Sequence, residues 1–260
     1  MTQLGIAIDG LPVYMCIFVR LAAIIFLNPL FMSSHVPTQI KAALVFVCTL
    51  MLAPYVSSSV TDTGFLSLAL ALLREFLTGF ALTYVFTVFF YMLMTAADVM
   101  DAHLGWSMAK MFNPQTNIQS GISGLFLTIL FGLYFFVTNS HLVLIKTAAY
   151  SFVLIPAGAG SIHIRNIPEF AITVFVSAFS LALRLAIPFV AASFVVQISM
   201  GVLMKLIPQI HVFVIYMQAM NLLGMLLLLV LGHATAGFVE SYIEQMFKAM
   251  QQAVAAFVSS

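Results

Sequence analysis

The chain alternates long apolar runs with short polar interruptions, and one interruption stands apart by its length and its central position. It covers residues 98–124 and lies between the uncharged apolar run 76–97 and the apolar run 125–137. Runs of this kind predict hydrophobic helices. The pattern therefore predicts two helices that present a polar loop, and we expect the function of the chain to lie in this loop.

The composition of the loop suits contact with water and protein rather than lipid. Asn113 and Pro114 cannot continue a helix, because proline has no N–H and disfavours helical geometry at the residue before it. Gly105 and Gly121 give the backbone freedom at the two ends of the loop. Unsatisfied backbone groups cost several kcal/mol each in hydrocarbon, which excludes lipid as the environment of such a segment. Trp106, the one tryptophan, is interpreted as an anchor.

The remaining pattern predicts further helices. Residues 11–27 and 42–56 are apolar runs, and a turn at residues 138–141 separates two more. Residues 170–204 form a run that is too long for one straight membrane span of about 20 residues. Because Pro188 lies near its middle, we expect either a kink or a helix whose interior half faces protein.

The C-terminal segment has the pattern of an amphipathic helix. Its polar face comprises Glu240, Glu244, Lys248 and Gln251. Its apolar stripe comprises Val239, Tyr242, Ile243, Met246, Phe247, Met250 and Val254.

The composition identifies an integral membrane protein. The 260 residues are 63% hydrophobic and only 7% charged, whereas about 25% of the residues of a soluble domain are charged. The net charge of +1 provides no field that would attract nucleic acid. Cys16 and Cys48 have no CxxC spacing, and no HExxH or GxSxG sequence occurs. We therefore expect no enzyme activity, no metal site and no cofactor.

Several charged residues lie inside or beside the apolar runs. A charge at the centre of a lipid-facing helix costs about 2.5–3.5 kcal/mol, so these side chains are expected to face protein, water or another subunit. For Asp98 and Asp101, a proton path that includes His103 is the alternative to subunit contacts, and we favour the contacts. The charged residues interpreted as inter-helix or inter-subunit contacts are Arg20, Arg74, Glu75, Asp98, Asp101 and Arg184.

Motifs along nearly the whole chain resemble the flagellar biosynthetic protein FliR family of export-gate proteins. They occur in the order FVRLAAIIFLNPLF, REFLTGFAL, NSHLVLI, AIP and IPQIHVF, and each is weak alone. Their order and spacing together are specific. The chain departs from the family pattern at Asp98, Asn113 and His211, which puts any carried-over role of these positions in doubt.

The resemblance implies an all-α integral membrane protein of long helical hairpins, which assembles with FliP-like and FliQ-like subunits into a helical export gate rather than forming a conventional transmembrane bundle. Within one membrane domain it implies a FliP-like part (1–165), a FliQ-like hairpin (166–238) and an amphipathic C-terminal helix (239–260). It implies a non-enzymatic subunit of the bacterial inner membrane and flagellar basal body. Its partners would be FliP, FliQ, FlhB, lipid and the unfolded flagellar proteins that pass through the gate.

The resemblance also implies two functional segments. The hairpin KLIPQIHVF would meet FlhB through Lys205, Pro208, Gln209, His211 and Phe213. The central loop would be a pore plug that includes Ser107, Met108, Met111, Asn113, Pro114, Gln115, Asn117, Gln119 and Gly121.

A small solute transporter or proton-coupled transporter is the competing hypothesis. Its transport residues would be Glu75, Asp98, Asp101 and Arg184, with Pro188 at a broken helix. Against it, the sequence contains no internal repeat that we can detect, and the loop is rich in amides rather than in ion ligands.

Overall fold

The fold is all-α, as the sequence predicts. The computed structural model describes residues 11–33, 36–56, 64–107, 121–158, 167–207 and 212–258. In the described part of the chain, the helices are α1 (Leu11–Phe26), α2 (Pro29–Ser33), α3 (Thr38–Leu52), a 3₁₀ turn (Ala53–Tyr55), α4 (Phe65–His103), α5 (Ile122–Val137), α6 (Ser140–Leu154), α7 (Ile167–Leu206) and α8 (Val212–Val258).

Local chemistry determines where several helices end. The Asn28 side chain accepts a hydrogen bond of 3.0 Å from the Leu30 N–H, which caps α2 at Pro29, where proline is favoured in the first turn. Asn139 separates α5 from α6 in a left-handed conformation with φ of 56°. Asparagine tolerates this conformation better than most residues. The predicted turn at 138–141 is thus reduced to two residues.

The described helices include four that are long and apolar enough to span a membrane, or five if α5 and α6 count as one broken span. The four are residues Thr38–Tyr55, Phe65–His103, Pro168–Leu206 and Val214–Ala255. α4 has 39 residues, so it is about 58 Å long at 1.5 Å per residue, whereas a hydrocarbon core is about 30 Å thick. The chain is an integral membrane protein with helices longer than a simple span requires.

The chain divides into two compact units. Unit 1 comprises residues Met1–Phe89, Asn139–Phe175 and Gln245–Ser260. Unit 2 comprises residues Phe90–Thr138 and Val176–Glu244. Helices α4, α7 and α8 therefore each contribute residues to both units.

Each unit has a core of its own. In unit 1, the small buried residues Cys16, Ala71 and Ala157 pack together. In unit 2, the rings of Phe90 and Phe131 meet edge to face at 5.5 Å, a favourable arrangement for aromatic pairs.

The long helices run through positions where the sequence suggests a break. α7 continues past Pro188 as one helix, and Ala178, Ala182 and Ala186 form a buried stripe on it. The buried stripe fits the second of the two expectations for this run, a helix that packs part of its surface against protein. α8 begins at Val212 and continues to Val258, so the amphipathic segment from residue 239 onward is its last part and not a separate helix.

The amphipathic pattern of that last part is visible in the burial of its side chains. The polar positions Glu240, Glu244, Lys248 and Gln251 are exposed. All seven residues of the apolar stripe are buried, namely Val239, Tyr242, Ile243, Met246, Phe247, Met250 and Val254.

Candidate functional site

The two ends of the central loop form the first part of the candidate site. Ser107 is half-buried and Gly121 is buried. The predicted plug residues between them lie outside the described residues, namely Met108, Met111, Asn113, Pro114, Gln115, Asn117 and Gln119. The structure therefore describes the residues at both ends of the loop, which belong to unit 2.

At the start of the loop, Trp106 packs against a glycine of α8. α4 ends at His103, and Gly105 turns the chain with φ of 78°, a conformation that glycine adopts without strain. Trp106 is 5% exposed, and a Cβ atom added to Gly224 would lie 3.0 Å from the indole Cε2 and Cη2 atoms. Real Cβ contacts are rarely that short. Gly224 is thus the residue that admits the indole ring.

At the other end of the loop, a carboxylate caps a helix. The backbone N–H of Ser123, in the first turn of α5, donates to Asp101 Oδ1 over 3.0 Å. Gly121, the residue at the N-cap position of α5, has no side chain that could do so. A carboxylate is also favoured at the positive end of the helix dipole. Asp101 and Ser123 are fully buried, and among the described residues Asp101 Oδ2 and Ser123 Oγ have no hydrogen-bond partner.

The two aspartates near the start of the loop differ in burial. Asp101 is fully buried, whereas the Asp98 side chain is exposed on this chain. His103 lies near α7, with Nδ1 3.5 Å from Ser193 Oγ and its ring 5.4 Å from the ring of Phe194. The expectation that both aspartates make inter-helix or inter-subunit contacts stays a prediction for Asp98.

In unit 1, the structure brings together two of the predicted charges, Arg20 and Glu75. Arg20 Nε donates to Glu75 Oε2 at 2.5 Å, and both side chains are fully buried. Arg20 also donates to Ser151 Oγ and to the Ile155 carbonyl, each over 3.1 Å. The second carboxylate oxygen, Glu75 Oε1, accepts from the Gly158 N–H over 2.9 Å. A buried ion pair persists only when its remaining polar atoms are satisfied in this way.

The surroundings of this ion pair are closely packed. The Phe152 ring lies 4.0 Å from Arg20 Cζ, within the range of a cation–π interaction. A Cβ atom at Gly79 would lie 2.6 Å from the Arg20 carbonyl oxygen. Gly79, one helical turn after Glu75, therefore allows α4 to approach α1 closely. We call Arg20, Glu75, Ser151 and Gly158 the ionic centre.

Sequence reasoning did not identify several residues of these sites. Ser151 and Gly158 complete the ionic centre, and Gly224 leaves room for the indole ring of Trp106. Gly158 contributes a backbone N–H group, which no side-chain pattern reveals. A glycine inside an apolar helix, such as Gly224, was the only available signal, because it indicates close approach of another group.

Other predicted residues remain apart from these sites. Arg74 and Arg184 are exposed on this chain, as is Lys205 at the end of α7. Phe213 is in the first turn of α8. Pro208, Gln209 and His211 of the predicted hairpin lie outside the described residues.

Metal-ligating groups do not cluster in the part of the chain that the structure describes. Over those residues, no three His, Cys, Asp or Glu side chains converge. The ionic centre contains one carboxylate, which its own neighbours already satisfy.

Known proteins match the chain along most of its length. Flagellar biosynthetic protein FliR of Aquifex aeolicus is 24% identical over 243 residues, which is 93% of each protein. FliR of Escherichia coli is 26% identical over 92% of each protein. Yop proteins translocation protein T of Yersinia pestis is 27% identical over 71% of this chain and 72% of that protein.

These similarities confirm the resemblance to the FliR family that the ordered motifs indicate. Residues 11–246 match the family described as "Bacterial export proteins, family 1", and this range includes the ionic centre, both ends of the loop and most of α8. Since the match covers far more than half of the sequence, the chain belongs to family 1 of the bacterial export proteins.

Proposed function

We propose that this chain is a membrane subunit of a type III protein export gate, in which residues 107–123 plug a channel for unfolded flagellar proteins. The observation that carries the proposal is the family match over residues 11–246, together with FliR and Yop translocation relatives. The partners would be FliP, FliQ and FlhB in the bacterial inner membrane at the flagellar basal body. The role is that of a scaffold without catalysis.

Exposed charges on the apolar helices support an assembly with other subunits. Arg184 is exposed near the middle of α7, and Arg74 is exposed on α4. An arginine in such a position is stabilised by a carboxylate or by backbone carbonyls, and lipid offers neither at the bilayer centre. Partner subunits would supply these groups. In this arrangement residues 1–165 would take FliP-like positions and residues 166–238 FliQ-like positions.

A wide apolar surface on the second half of the chain supports the same proposal. Large side chains on α8 remain more than half exposed, namely Leu222, Met225, Leu226, Leu229 and Val230. They would pack against neighbouring subunits or lipid.

Co-purification with the partner subunits tests this function, and a substitution of Arg184 is the most discriminating variant. The tagged chain, expressed with FliP and FliQ, is expected to purify from detergent as one complex with both. Arg184→Ala should lower the recovery of that complex severalfold, since truncating one member of a buried charged pair costs about 3–5 kcal/mol.

Ser180→Ala is the matched control, because Ser180 is exposed one turn earlier on α7 and its hydroxyl donates to the Ser177 carbonyl of the same helix. It should assemble normally. A chain that purifies alone as a stable monomer or dimer, whatever partners are co-expressed, would favour a transporter instead. Normal assembly and secretion with Arg184→Ala would mean that Arg184 has no partner in the gate.

The hairpin around residues 205–213 is proposed to face the cytoplasm and to meet FlhB. Lys205 is exposed at its start, and lysines beside membrane segments favour the cytoplasmic side. Cysteines placed at Gln209 or Val212, in a chain whose Cys16 and Cys48 are replaced by alanine, should resist an impermeant thiol reagent applied to intact cells and react after lysis. Labelling of intact cells from outside would contradict this orientation.

A further inference from the structure

We propose that the exposed face of α7 around Arg184 docks an apolar helix of a partner subunit, which brings a carboxylate to the guanidinium group and a hydrogen-bond donor to the Arg184 carbonyl. The inference rests on the proposed gate for the existence of partner subunits. It adds which face of this chain such a subunit meets and which chemistry the subunit needs there. All the residues that carry it belong to unit 2.

The first observation is a charged side chain on an apolar helix. Arg184 is exposed, and within the part of the chain that the structure describes it has no ion-pair partner. Its neighbours Leu183 and Ile187 are apolar and are 41% and 59% exposed. A guanidinium group in such surroundings is stabilised best by a carboxylate, which it can bind through two parallel hydrogen bonds. The charge of this face therefore favours an acidic partner.

The second observation is a backbone carbonyl at the same position that lacks its usual donor. In an α-helix the carbonyl of residue 184 accepts from the N–H of residue 188, but Pro188 has no N–H. α7 continues past Pro188, and both residues are exposed, so this carbonyl lies on the exposed side of the helix. An unsatisfied carbonyl is costly in apolar surroundings. A partner that donates a hydrogen bond here would remove this cost.

The third observation is that this face lets a second helix come close. Ser177, Ser180, Arg184, Pro188 and Ala191 follow one another at spacings of three and four residues, and all five are exposed. They form one stripe on α7, which we call the Arg184 stripe, on the side away from its buried alanines. Apart from the arginine its members are small or compact, and small residues let the backbones of two membrane helices approach closely. A donor on a partner helix can reach a backbone carbonyl only at such close approach.

The three observations together favour a helix over a lipid headgroup as the occupant. A phosphate group could pair with the guanidinium of Arg184, but it has no hydrogen to donate to the carbonyl. It would also make no use of small residues that extend along several turns of α7. The occupant is therefore a helix that carries one Asp or Glu and, within one turn of it, a Ser, Thr, Asn or Gln.

Charge reversal tests the carboxylate. Arg184→Glu should lower the recovery of the co-purified complex further than Arg184→Ala does, because two carboxylates would then face each other. Arg184→Lys should restore part of the recovery, since lysine supplies the charge without the paired geometry. Selection for restored export by Arg184→Glu, from mutagenised partner genes, should yield replacements of one Asp or Glu in an apolar segment by Lys or Arg. Equal recovery with Arg184→Ala and Arg184→Glu, or suppressors that never change an acidic residue, would overturn the proposal.

Pro188→Ala tests the carbonyl, because alanine returns an N–H that can donate to it. Proline inside a helix is destabilising, so the chain alone in detergent should have a higher thermal midpoint after this substitution. The complex should nevertheless be recovered about two- to tenfold less well, since the donor on the partner loses its acceptor. A merely structural role of Pro188 would move both quantities in the same direction. Recovery at or above the wild-type level would refute the part of the carbonyl.

A bulky side chain tests the close approach. Ser180→Leu should lower the recovery of the complex, whereas Ser180→Ala keeps the side chain small and should not. Gly201→Leu is the control for added volume, because Gly201 is exposed on another side of α7 and nothing lies within 4 Å of the position of its Cβ atom. Neither leucine should lower the thermal midpoint of the chain alone. Equal losses with the two leucines would mean that bulk anywhere on α7 disturbs assembly, which contradicts the Arg184 stripe.

Other occupants give different results, and either would overturn the partner helix. With a lipid phosphate, Arg184→Ala should lower the phosphorus that co-purifies with the chain alone and leave the complex intact. With a second copy of this chain, the chain alone should be a dimer that Arg184→Glu separates.

Failure of this interface is distinguishable from failure of the proposed gate. A complex that forms equally well with Arg184→Glu and with Pro188→Ala leaves the gate in place and refutes the interface. A wild-type chain that co-purifies with no partner subunit refutes the gate.

Discussion

Replacing Glu75 with alanine is expected to lower the free energy of unfolding of the chain by about 3–5 kcal/mol, because the change leaves a fully buried arginine without its counter-charge. Two hydrogen bonds to the carboxylate are lost at once, which leaves the Arg20 Nε–H and the Gly158 N–H without their acceptor. The thermal midpoint of the purified chain in detergent should fall by about 10 °C.

Arg74→Ala is the matched control for this measurement. Arg74 is the neighbouring residue on α4, carries a full charge and is exposed, so its removal should change the midpoint little in the isolated chain. Glu75→Gln should give an intermediate result, since the amide oxygen can still accept from Gly158 while the charge is lost. The double variant Arg20→Ala with Glu75→Ala should cost less than the sum of its parts, because it leaves no unpaired charge. Equal effects of Glu75→Ala and Arg74→Ala would contradict the ionic centre.

The sequence predicts the helices well where apolar runs end at strong breakers. Asn28 with Pro29 ends one run, and Asn139 divides another, because their backbone requirements are local. Predictions of the helix ends fail where a break is only compositional. α8 passes from an apolar run into the amphipathic segment without interruption, since glycine at positions 232 and 237 weakens a helix by only about 1 kcal/mol each and does not by itself end it.

The site is predictable only in part, for a different reason. The need of Arg20 and Glu75 for partners follows from burial of charge in an apolar run, but their pairing across 55 positions depends on how α1 meets α4. Gly79 is the residue that allows this approach, and its role appears only when the Arg20 carbonyl is in place. In the same way, Trp106 can be interpreted as an anchor from its type alone, whereas its contact with Gly224 can be seen only in the folded structure.

The second large effect is expected from a deletion in the central loop, where the sequence predicts the function. Deleting residues 111–119, while Gly105, Trp106, Gly121 and Ser123 are kept, is expected to leave the complex assembled but permeable. The contact of Trp106 with Gly224 and the hydrogen bond of Asp101 with Ser123 lie outside the deleted stretch, so unit 2 should keep its packing. Loop shortening itself changes stability little, since closure entropy depends only on the logarithm of loop length.

The expected leak follows from the size of the contacts that a movable plug can make. A plug that a substrate chain displaces must be held by only a few kcal/mol, because populated minor states in switching proteins lie about that far above the major one. Removing the segment removes this barrier completely, so ion or dye flux through the purified complex in vesicles should rise well above that of the wild-type complex. Equal recovery of FliP and FliQ with the deleted chain is the control that separates permeability from misassembly. A deletion that assembles, exports and does not leak would mean that residues 107–123 are a simple connection, and the channel gate would then lie elsewhere, with the exposed Arg184 and the apolar face of α8 as the next candidates.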